Sequence, residues 1–211
     1  MIEKNQNNVE YKDVNMTDNS LVYYSFYTYN RLLSNLRYFK TLENKFDANE
    51  IVNNLYLGSI SSCYDFDELK NKGITHIISV MAGFVPPFPK DFKYLVINAL
   101  DNENNDLSEI FKFSNEFIEN AFDNNGKVLI HCMAGRSRSA TILMAYLIET
   151  IGMDVDNILL AVQNKRKIVQ PNSAFMTQLK QYHFNKFYLH TWMLLQKKTI
   201  VINYSILTKY I

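Results

Sequence analysis

The sequence has few of the residues that build secreted, metal-binding or membrane-spanning proteins. Only two of its 211 residues are cysteines, Cys63 and Cys132, and they lie far apart without a CxxC motif or a Cys/His ligand spacing. This pattern predicts no disulfide framework, no metal site and no cofactor. The stretch MIEKNQNNVEYKD has no apolar signal core, and no apolar run is long enough to predict a transmembrane helix. We therefore expect a soluble protein of a reducing compartment, in the cytoplasm with or without the nucleus.

An excess of charge of either sign is also absent. The chain has 22 Lys and Arg residues against 21 Asp and Glu residues, a net charge of +1. Such a balance creates no long-range field that would attract nucleic acid or a strongly acidic partner. We therefore expect no nucleic-acid partner, and any site for an anion has to be built locally.

The polarity of the sequence changes along the chain and predicts one domain with extensions at both ends. Hydrophobic residues make up 47% of the chain, which suffices for one sizeable core. Residues 1–20 are polar and rich in asparagine, which predicts a disordered segment. In the next segment, 21–50, apolar residues recur at spacings of three and four up to about residue 46, which predicts an amphipathic helix over 21–46. Its tyrosine-rich face either packs on its own domain or contacts a partner or a second copy of the chain.

The other extension, residues 186–211, is apolar but contains Lys197 and Lys198. We expect it to pack as a helix and a strand, or to contact a partner or a membrane surface. The lysines interrupt it short of the length that spans a bilayer, so no stable membrane insertion is expected.

Between these extensions, over residues 51–185, short β-rich runs alternate with helical stretches. This alternation predicts an α/β fold with a mostly parallel central sheet flanked by helices. In such folds ligands bind beyond the carboxyl ends of the strands, and the segment HCMAGRSRS (131–139) stands at one such end. The predicted strands are 54–58, 75–81, 94–99 and 127–131, and the predicted helices are 66–72, 107–122, 137–151, 155–166 and a last one from 173 onward.

The residues of HCMAGRSRS suit the binding of a tetrahedral oxyanion. A tight turn from strand to helix directs successive backbone N–H groups into one concavity at the positive end of the helix. Gly135 lets the backbone curl, and the guanidinium of Arg138 matches two phosphate oxygens. Cys132 lies at the base of this concavity, where the same donors favour the thiolate. The residues predicted to bind the substrate phosphate are Met133, Ala134, Gly135, Arg136, Ser137 and Arg138.

A thiolate that faces a bound phosphate can attack phosphorus and form a cysteinyl phosphate, which water then hydrolyses. The alternative for Cys132 is a buried inert thiol, and a C-x5-R-S pattern between an apolar strand and an apolar helix disfavours it. Ser139 can donate a hydrogen bond to the leaving sulfur, a role compatible with a plain position in the first turn of the helix. His131 either orders the loop from behind, lies in the core, or acts as a base. Arg136 either points into solvent or contacts acidic groups next to the substrate phosphate.

HCMAGRSRS matches the HCxAGxSRS signature of dual-specificity protein phosphatases, the compact branch of the cysteine-dependent protein tyrosine phosphatase superfamily. The resemblance runs from about residue 51 to 182 and includes NLYLGS, GITHIISV and QPNSAFMTQLKQY, which resembles the family's closing PNxxFxxQL segment. It implies a protein tyrosine phosphatase-like fold. It also implies metal-independent hydrolysis of phosphotyrosine and of phosphoserine or phosphothreonine, so that phosphorylated signalling proteins would be the substrates.

The family also implies a general acid, because the departing oxygen of a serine, threonine or tyrosine needs a proton. Family members carry an aspartate after the strand that precedes the signature, and in INALDNENNDLSEIF the matching residue is Asp101. Asp106 begins the sequence DLSE, with Glu109 three residues on, which is typical of a capping box. Glu103 is the remaining candidate for the acid.

Two other functions stay open. The same chemistry could act on a phosphoinositide, a glycan phosphate or an RNA 5′ phosphate, although lipid-directed relatives tend to have lysines inside the loop. A pseudophosphatase would bind a phosphosite without cleaving it, but such relatives usually lack the cysteine, the arginine or the acid. Outside the loop, Cys63 is interpreted either as a packing residue or as a partner for a protective disulfide with Cys132, and Asn172 as a brace or a helix cap.

Overall fold

The computed structural model describes residues 8–14, 21–35 and 46–189. Its centre is a six-stranded sheet with the strand order β1-β5-β4-β6-β3-β2. The strands are β1 (Val9–Asp13), β2 (Ala48–Val52), β3 (Leu55–Gly58), β4 (His76–Val80), β5 (Lys93–Asn98) and β6 (Val128–His131). The helices are α1 (Leu21–Asn35), α2 (Ile60–Tyr64), α3 (Phe66–Asn71), α4 (Ser108–Asp123), α5 (Arg138–Ile151), α6 (Val155–Lys165) and α7 (Ser173–Phe184), and one π-helical turn (Asn185–Leu189) follows α7.

The sheet is mostly parallel, which confirms the predicted fold class. Every neighbouring pair of strands is parallel except the hairpin of β2 and β3. All residues of β3, β4 and β6 are buried, because helices cover both faces of the sheet. This is why these strands read as continuous apolar runs. The predicted strands and helices of residues 54–184 correspond to observed elements, whereas β1, β2 and α2 were not predicted.

Successive side chains of the strands enter two different cores, one on each face of the sheet. Ile78 and Ile130 belong to the larger core, which α4, α5, α6 and α7 cover. Ile77 and Leu129 belong to the smaller core on the other face, together with α2 and α3. Helix α5 is buried without interruption from Ser139 to Ile148. Its first turn, which follows the loop of HCMAGRSRS, is therefore enclosed by the core.

The predicted disorder of residues 1–20 is wrong for Val9–Asp13, which form the edge strand β1 in parallel register with β5. The prediction considered only apolar area, but an edge strand is held mainly by main-chain hydrogen bonds to its neighbour. Asp13 Oδ1 also accepts a hydrogen bond of 2.7 Å from Asn98 Nδ2, and Val14 is buried. Residues 1–7 and 15–20 lie outside the described residues.

The predicted helix over 21–46 is observed as α1 over Leu21–Asn35, and residues 36–45 lie outside the described residues. The helical extension does not reach residue 50, because strand β2 begins at Ala48. One face of α1 packs on its own domain: Asn30 Nδ2 donates to Ala82 O over 3.0 Å, and the main chain of Tyr27 lies against Gly83. A Cβ at Gly83 would lie 2.1 Å from Tyr27 O, so this close approach requires glycine.

The opposite face of α1 is exposed, and contact of this helix with a partner or a second copy stays a prediction. Of the predicted C-terminal extension, 186–211, only residues up to 189 are described, so its packing also stays a prediction. None of the helices in the described ranges has both the length and the apolar character needed to cross a membrane. Among the side chains of α1 that the structure describes, the exposed large apolar ones are Leu21, Tyr24, Phe26, Tyr29 and Leu32.

Candidate active site

The loop between β6 and α5, residues 132–137, lies tightly against the end of β3. Gly135 has a φ of +66°, and a Cβ there would lie 2.5 Å from Gly58 O. The amide of Ile60, at the start of α2, donates to Met133 O over 3.2 Å. The loop is therefore enclosed between β3, α2 and the first turn of α5, and only glycine fits at position 135.

Cys132 is 2% exposed and lies at the base of this loop. Its Sγ accepts a hydrogen bond of 3.1 Å from Ser139 Oγ, and the backbone N–H groups of Ser139 and Arg136 also donate to it. Burial by itself would raise the pKa of Cys132, but the positive charge of Arg138 and these three hydrogen bonds outweigh it and lower the pKa below its usual value. The arrangement therefore favours a thiolate, the form in which cysteine is a nucleophile.

Arg138 lies between the loop and Asp101. Its Nη1 donates to Ala99 O over 3.1 Å, and its Nε lies 3.8 Å from Asp101 Oδ2, beyond hydrogen-bonding distance. This Nε is buried and has no hydrogen-bond partner among the described residues. A guanidinium that is only 12% exposed and has an unused donor is suited to bind an anion held in the loop.

Asp101 is brought to the loop by two hydrogen bonds on the same oxygen. Ser137 Oγ donates to Asp101 Oδ1 over 2.7 Å, and Asn172 Nδ2 donates to the same atom over 3.1 Å. Asn172 also caps α7, where its Oδ1 accepts from the amide of Phe175, so it is both a brace and a cap as the two interpretations proposed. The second oxygen, Oδ2, faces Arg138.

The two other candidates for the acid are bound elsewhere. Asp106 Oδ1 accepts from the amide and the hydroxyl of Ser108 at the start of α4, over 2.8 and 2.6 Å. The helix begins one residue later than the predicted capping box requires, because Leu107 occupies the N-cap position. Glu103 accepts from Ser173 Oγ over 2.6 Å, which ties it to α7.

His131 is fully buried behind the loop. Its Nδ1 lies 3.4 Å from Cys132 O and its Nε2 lies 2.7 Å from Ser79 Oγ. Because a carbonyl only accepts, we assign the ring proton to Nδ1, so that Nε2 accepts from the serine hydroxyl. Burial, reinforced by the charge of Arg138, lowers the pKa of His131 to about 4. The imidazole is therefore neutral and orders the Cys132 peptide.

The remaining loop residues lie at the rim. Met133, Ala134 and Arg136 are exposed, and Ser137 is buried. The Nη2 of Arg136 donates to Gln170 Oε1, and the amide of Gln170 donates to Arg136 O over 2.8 Å. Arg136 thus lies along the rim rather than projecting freely into solvent. It borders a cleft of ≈ 410 Å³ that is lined by Asp101, Arg136, Ser137, Gln170, Pro171, Asn172 and Ser173.

Sequence reasoning missed Arg166 and Asp47, which contact the loop from outside. Arg166 is 4% exposed and donates to the carbonyls of Ala134 and Gly135, while its guanidinium pairs with the Asp47 carboxylate. No local pattern distinguishes Arg166 from the neighbouring Lys165 and Lys167 in NKRK, which are exposed.

Cys63 lies in the smaller core, on the other face of the sheet from Cys132, and burial raises the pKa of its thiol. This placement favours a packing role for Cys63. Among the described residues, no group of three or more His, Cys, Asp or Glu side chains is arranged to hold a metal ion.

Comparison with known proteins identifies the fold and the loop. The model of the dual specificity phosphatase catalytic domain matches residues 55–185. The chain is 38% identical to dual specificity protein phosphatase 1B of Arabidopsis thaliana over 143 residues, which cover 68% of this chain and 86% of that protein.

Solved structures agree with this assignment. The human tyrosine phosphatase-like serine/threonine/tyrosine-interacting protein superposes with a TM-score of 0.63 and 36% identity, covering 65% of this chain and 96% of that one. DUSP15 superposes with a TM-score of 0.64 and 33% identity, covering 66% of this chain and 89% of that one. These matches confirm the resemblance that HCMAGRSRS indicated. Because the family model spans more than half of the sequence, the chain belongs to the dual specificity phosphatase family.

Proposed function

We propose that the chain is a phosphoprotein phosphatase that hydrolyses phosphotyrosine and phosphoserine or phosphothreonine through a cysteinyl-phosphate intermediate on Cys132. The observation that carries this proposal is the buried sulfur of Cys132, which accepts hydrogen bonds from Ser139 and Arg136 beside the cation of Arg138. Membership of the dual specificity phosphatase family supports the choice of phosphoproteins as substrates.

In the first step the phosphate of the substrate is held by the loop amides of residues 133–138 and by Arg138. The thiolate of Cys132 attacks phosphorus in line, an S–P bond forms, and the P–O bond to the substrate breaks. The departing oxygen takes a proton from Asp101. Since Oδ1 of Asp101 already accepts from Ser137 and Asn172, Oδ2 is the atom that carries this proton.

In the second step water attacks phosphorus and the S–P bond breaks. The carboxylate of Asp101 accepts the proton of the water, and inorganic phosphate is released. The leaving group is now the sulfur of Cys132, whose negative charge Ser139 Oγ stabilises through its hydrogen bond of 3.1 Å. Ser139 therefore acts mainly on the hydrolysis of the intermediate.

A turnover panel tests the substrate class. Phosphotyrosyl and phosphothreonyl peptides, a phosphoinositide and a 5′-triphosphate RNA are each incubated with the chain and with Cys132→Ser. We expect the peptides to be hydrolysed with the highest kcat/KM and the variant to be inactive on all four. A higher kcat/KM on the lipid or the RNA would mean that the substrate is a non-protein phosphate.

The panel also tests the binding-module alternative. If neither protein turns over any substrate but both bind a phosphopeptide, the chain is a phosphate-binding pseudophosphatase. The presence of Cys132, Arg138 and Asp101 in one site supports hydrolysis instead.

The location of the protein in the cytoplasm, with or without the nucleus, is part of the proposal. Both cysteines are free thiols, which suits a reducing compartment. Microscopy of a fluorescently tagged chain tests the location, and accumulation in a secretory compartment would contradict it.

A further inference from the structure

The outer side of the catalytic loop is held by a buried guanidinium that takes no part in the proposed chemistry. Arg166, which follows α6 directly, donates from Nε to Gly135 O over 3.1 Å and from Nη2 to Ala134 O over 3.1 Å. These two carbonyls belong to consecutive residues of the loop. One rigid planar side chain therefore binds two neighbouring peptide units at once.

Arg166 is itself held in place by residues that precede the segment matched by the family model. Its Nη1 and Nη2 donate to the two carboxylate oxygens of Asp47, each over 2.8 Å, and Nη1 also donates to Asn49 Oδ1 over 2.9 Å. The hydrogen bond from Arg166 is the main cause that lowers the pKa of Asp47. The main chain of Asp47 is fixed as well, because its carbonyl accepts from the amide of Ser59 over 2.9 Å.

Peptide geometry connects these outer contacts to the sulfur. A trans peptide is planar, so its C=O and N–H groups point in opposite directions. The carbonyl of Gly135 shares a peptide unit with the N–H of Arg136, which donates to Cys132 Sγ. Arg166 Nε thus binds, from outside, the peptide unit that stabilises the thiolate on the inside. The carbonyl of Ala134 shares a peptide unit with the N–H of Gly135 in the same way.

The position of this contact in the loop is also informative. Gly135, with its φ of +66°, is the loop residue with the most conformational freedom, so the peptide units on either side of it are the easiest to rotate. A Cβ at Gly135 would lie 2.9 Å from Arg166 Nη2, which shows how closely the guanidinium is packed there.

We propose that Arg166, anchored by Asp47, is a positioning residue that keeps the N–H groups of Gly135 and Arg136 turned toward Cys132 and the bound phosphate. The inference rests on Cys132 being the nucleophile of the proposed function. Asp47 lies outside residues 55–185, so the catalytic loop depends on a residue beyond the matched catalytic domain.

The pH at which Cys132 ionises reports on this role of Arg166, and it can be measured without any substrate. The full chain is alkylated with iodoacetate between pH 4.5 and 9, and mass spectrometry of the peptide that contains Cys132 gives the rate at each pH. In Arg166→Met we expect the midpoint of the rate profile to rise and the rate at pH 6 to fall about tenfold or more, the effect of losing one hydrogen bond to a charged group. The kcat for a phosphopeptide is expected to fall as well.

Lys167→Met is the matched control, because it removes the same charge from an adjacent but exposed residue. We expect its midpoint to equal that of the unmodified chain. A second control, Leu69→Ala, loosens the smaller core on the far face of the sheet. If either control shifts the midpoint as much as Arg166→Met does, the effect is one of charge or of general stability, and the proposal is wrong.

Asp47→Ala distinguishes a positioning role of Arg166 from a simple effect of charge, because the two predict opposite shifts in the midpoint of Cys132 alkylation. Through space alone, removal of a negative charge would lower the midpoint of Cys132. If Asp47 anchors Arg166, its removal frees the guanidinium from the loop and the midpoint rises, with Asp47→Asn intermediate because one acceptor remains. An unchanged or lowered midpoint in Asp47→Ala overturns the proposal. This test can be made even if Arg166→Met does not fold.

The two proposals fail in different ways. Ready alkylation of Cys132 at low pH without turnover of any phosphate substrate would reject the proposed function and leave the role of Arg166 intact. Normal turnover with a midpoint that Arg166→Met does not shift would reject the role of Arg166 alone.

Discussion

Replacement of His131 by asparagine is expected to change how the stability of the protein depends on pH. Burial, reinforced by the charge of Arg138 and only partly offset by the hydrogen bond to Cys132 O, lowers the pKa of His131 to about 4. In an unfolded chain the pKa of histidine is about 6.5. Below that pH the unfolded state binds a proton that the folded state does not, so acidification favours unfolding.

The size of this effect follows from the two pKa values. Between pH 6.5 and 4 the free energy of unfolding falls by about 1.4 kcal/mol for each pH unit, as long as only the unfolded state is protonated at this residue. The loss reaches roughly 2 to 3 kcal/mol at pH 4.5 and is negligible at pH 7.5. His131 is fully buried, so solvent screening does not reduce this value appreciably.

Urea unfolding of the unmodified chain and of His131→Asn, measured by circular dichroism from pH 7.5 to 4.5, tests the prediction. His76, whose pKa burial likewise lowers to about 4, and the carboxylates are present in both proteins, so their difference isolates His131. We expect the stability of the unmodified chain relative to the variant to fall by roughly 2 to 3 kcal/mol over this range. A difference constant within about 0.5 kcal/mol would refute the reasoning, and an increase toward low pH would mean that the fold prefers the imidazolium.

The result bears on catalysis as well as on stability. A histidine that stays neutral down to about pH 4 neither donates nor receives a proton in the range where the enzyme works. The pH dependence of turnover then arises from groups other than His131, Cys132 among them.

Three further predictions concern the reaction. Although burial raises the pKa of Cys132, Arg138 and the hydrogen bonds lower it overall, so kcat/KM is expected to rise with thiolate formation below the pH range in which a free thiol ionises. A rate that rises only in the pH range of a free thiol would contradict the lowered pKa of Cys132. Asp101→Asn is expected to slow hydrolysis of phenyl phosphate by about 100-fold or more but that of nitrophenyl phosphate far less, and equal losses would identify another acid. Ser139→Ala is expected to turn over a first equivalent quickly and then to accumulate cysteinyl phosphate, detectable by mass spectrometry after an acid quench, and the absence of a burst would place the role of Ser139 elsewhere.

Local patterns sufficed for the fold class and for the residues of the loop. Alternating strands and helices predicted the parallel sheet, because a helix between two strands lets them run in the same direction. The strands were recognised as apolar runs, because a strand buried on both faces is apolar along most of its length. The pattern C-x5-R-S between an apolar strand and an apolar helix predicted where an anion would bind, because the geometry of a strand-to-helix turn is set by adjacent residues. Asp101 came from the resemblance, and its proximity to Ser137 and Asn172 is a finding of the structure.

Composition did not predict the structure of residues whose conformation depends on tertiary contacts. Val9–Asp13 look like a polar disordered segment by themselves, yet they form a strand because β5 offers an unpaired sheet edge. Arg136 lies along the rim because Gln170, far along the chain, accepts its hydrogen bond.

Contiguous residues were enough to predict an anion-binding loop, HCMAGRSRS, at the carboxyl end of a buried strand of the parallel sheet. The contacts that hold this loop in shape come instead from residues that are distant in the sequence. Arg166 and Asp47 are 119 positions apart, and they meet because β2 and the end of α6 converge on the same side of the loop. An ion pair between residues so far apart produces no periodicity or characteristic spacing in the sequence. Which carboxylate pairs with Arg166 depends on how the sheet and the helices pack together.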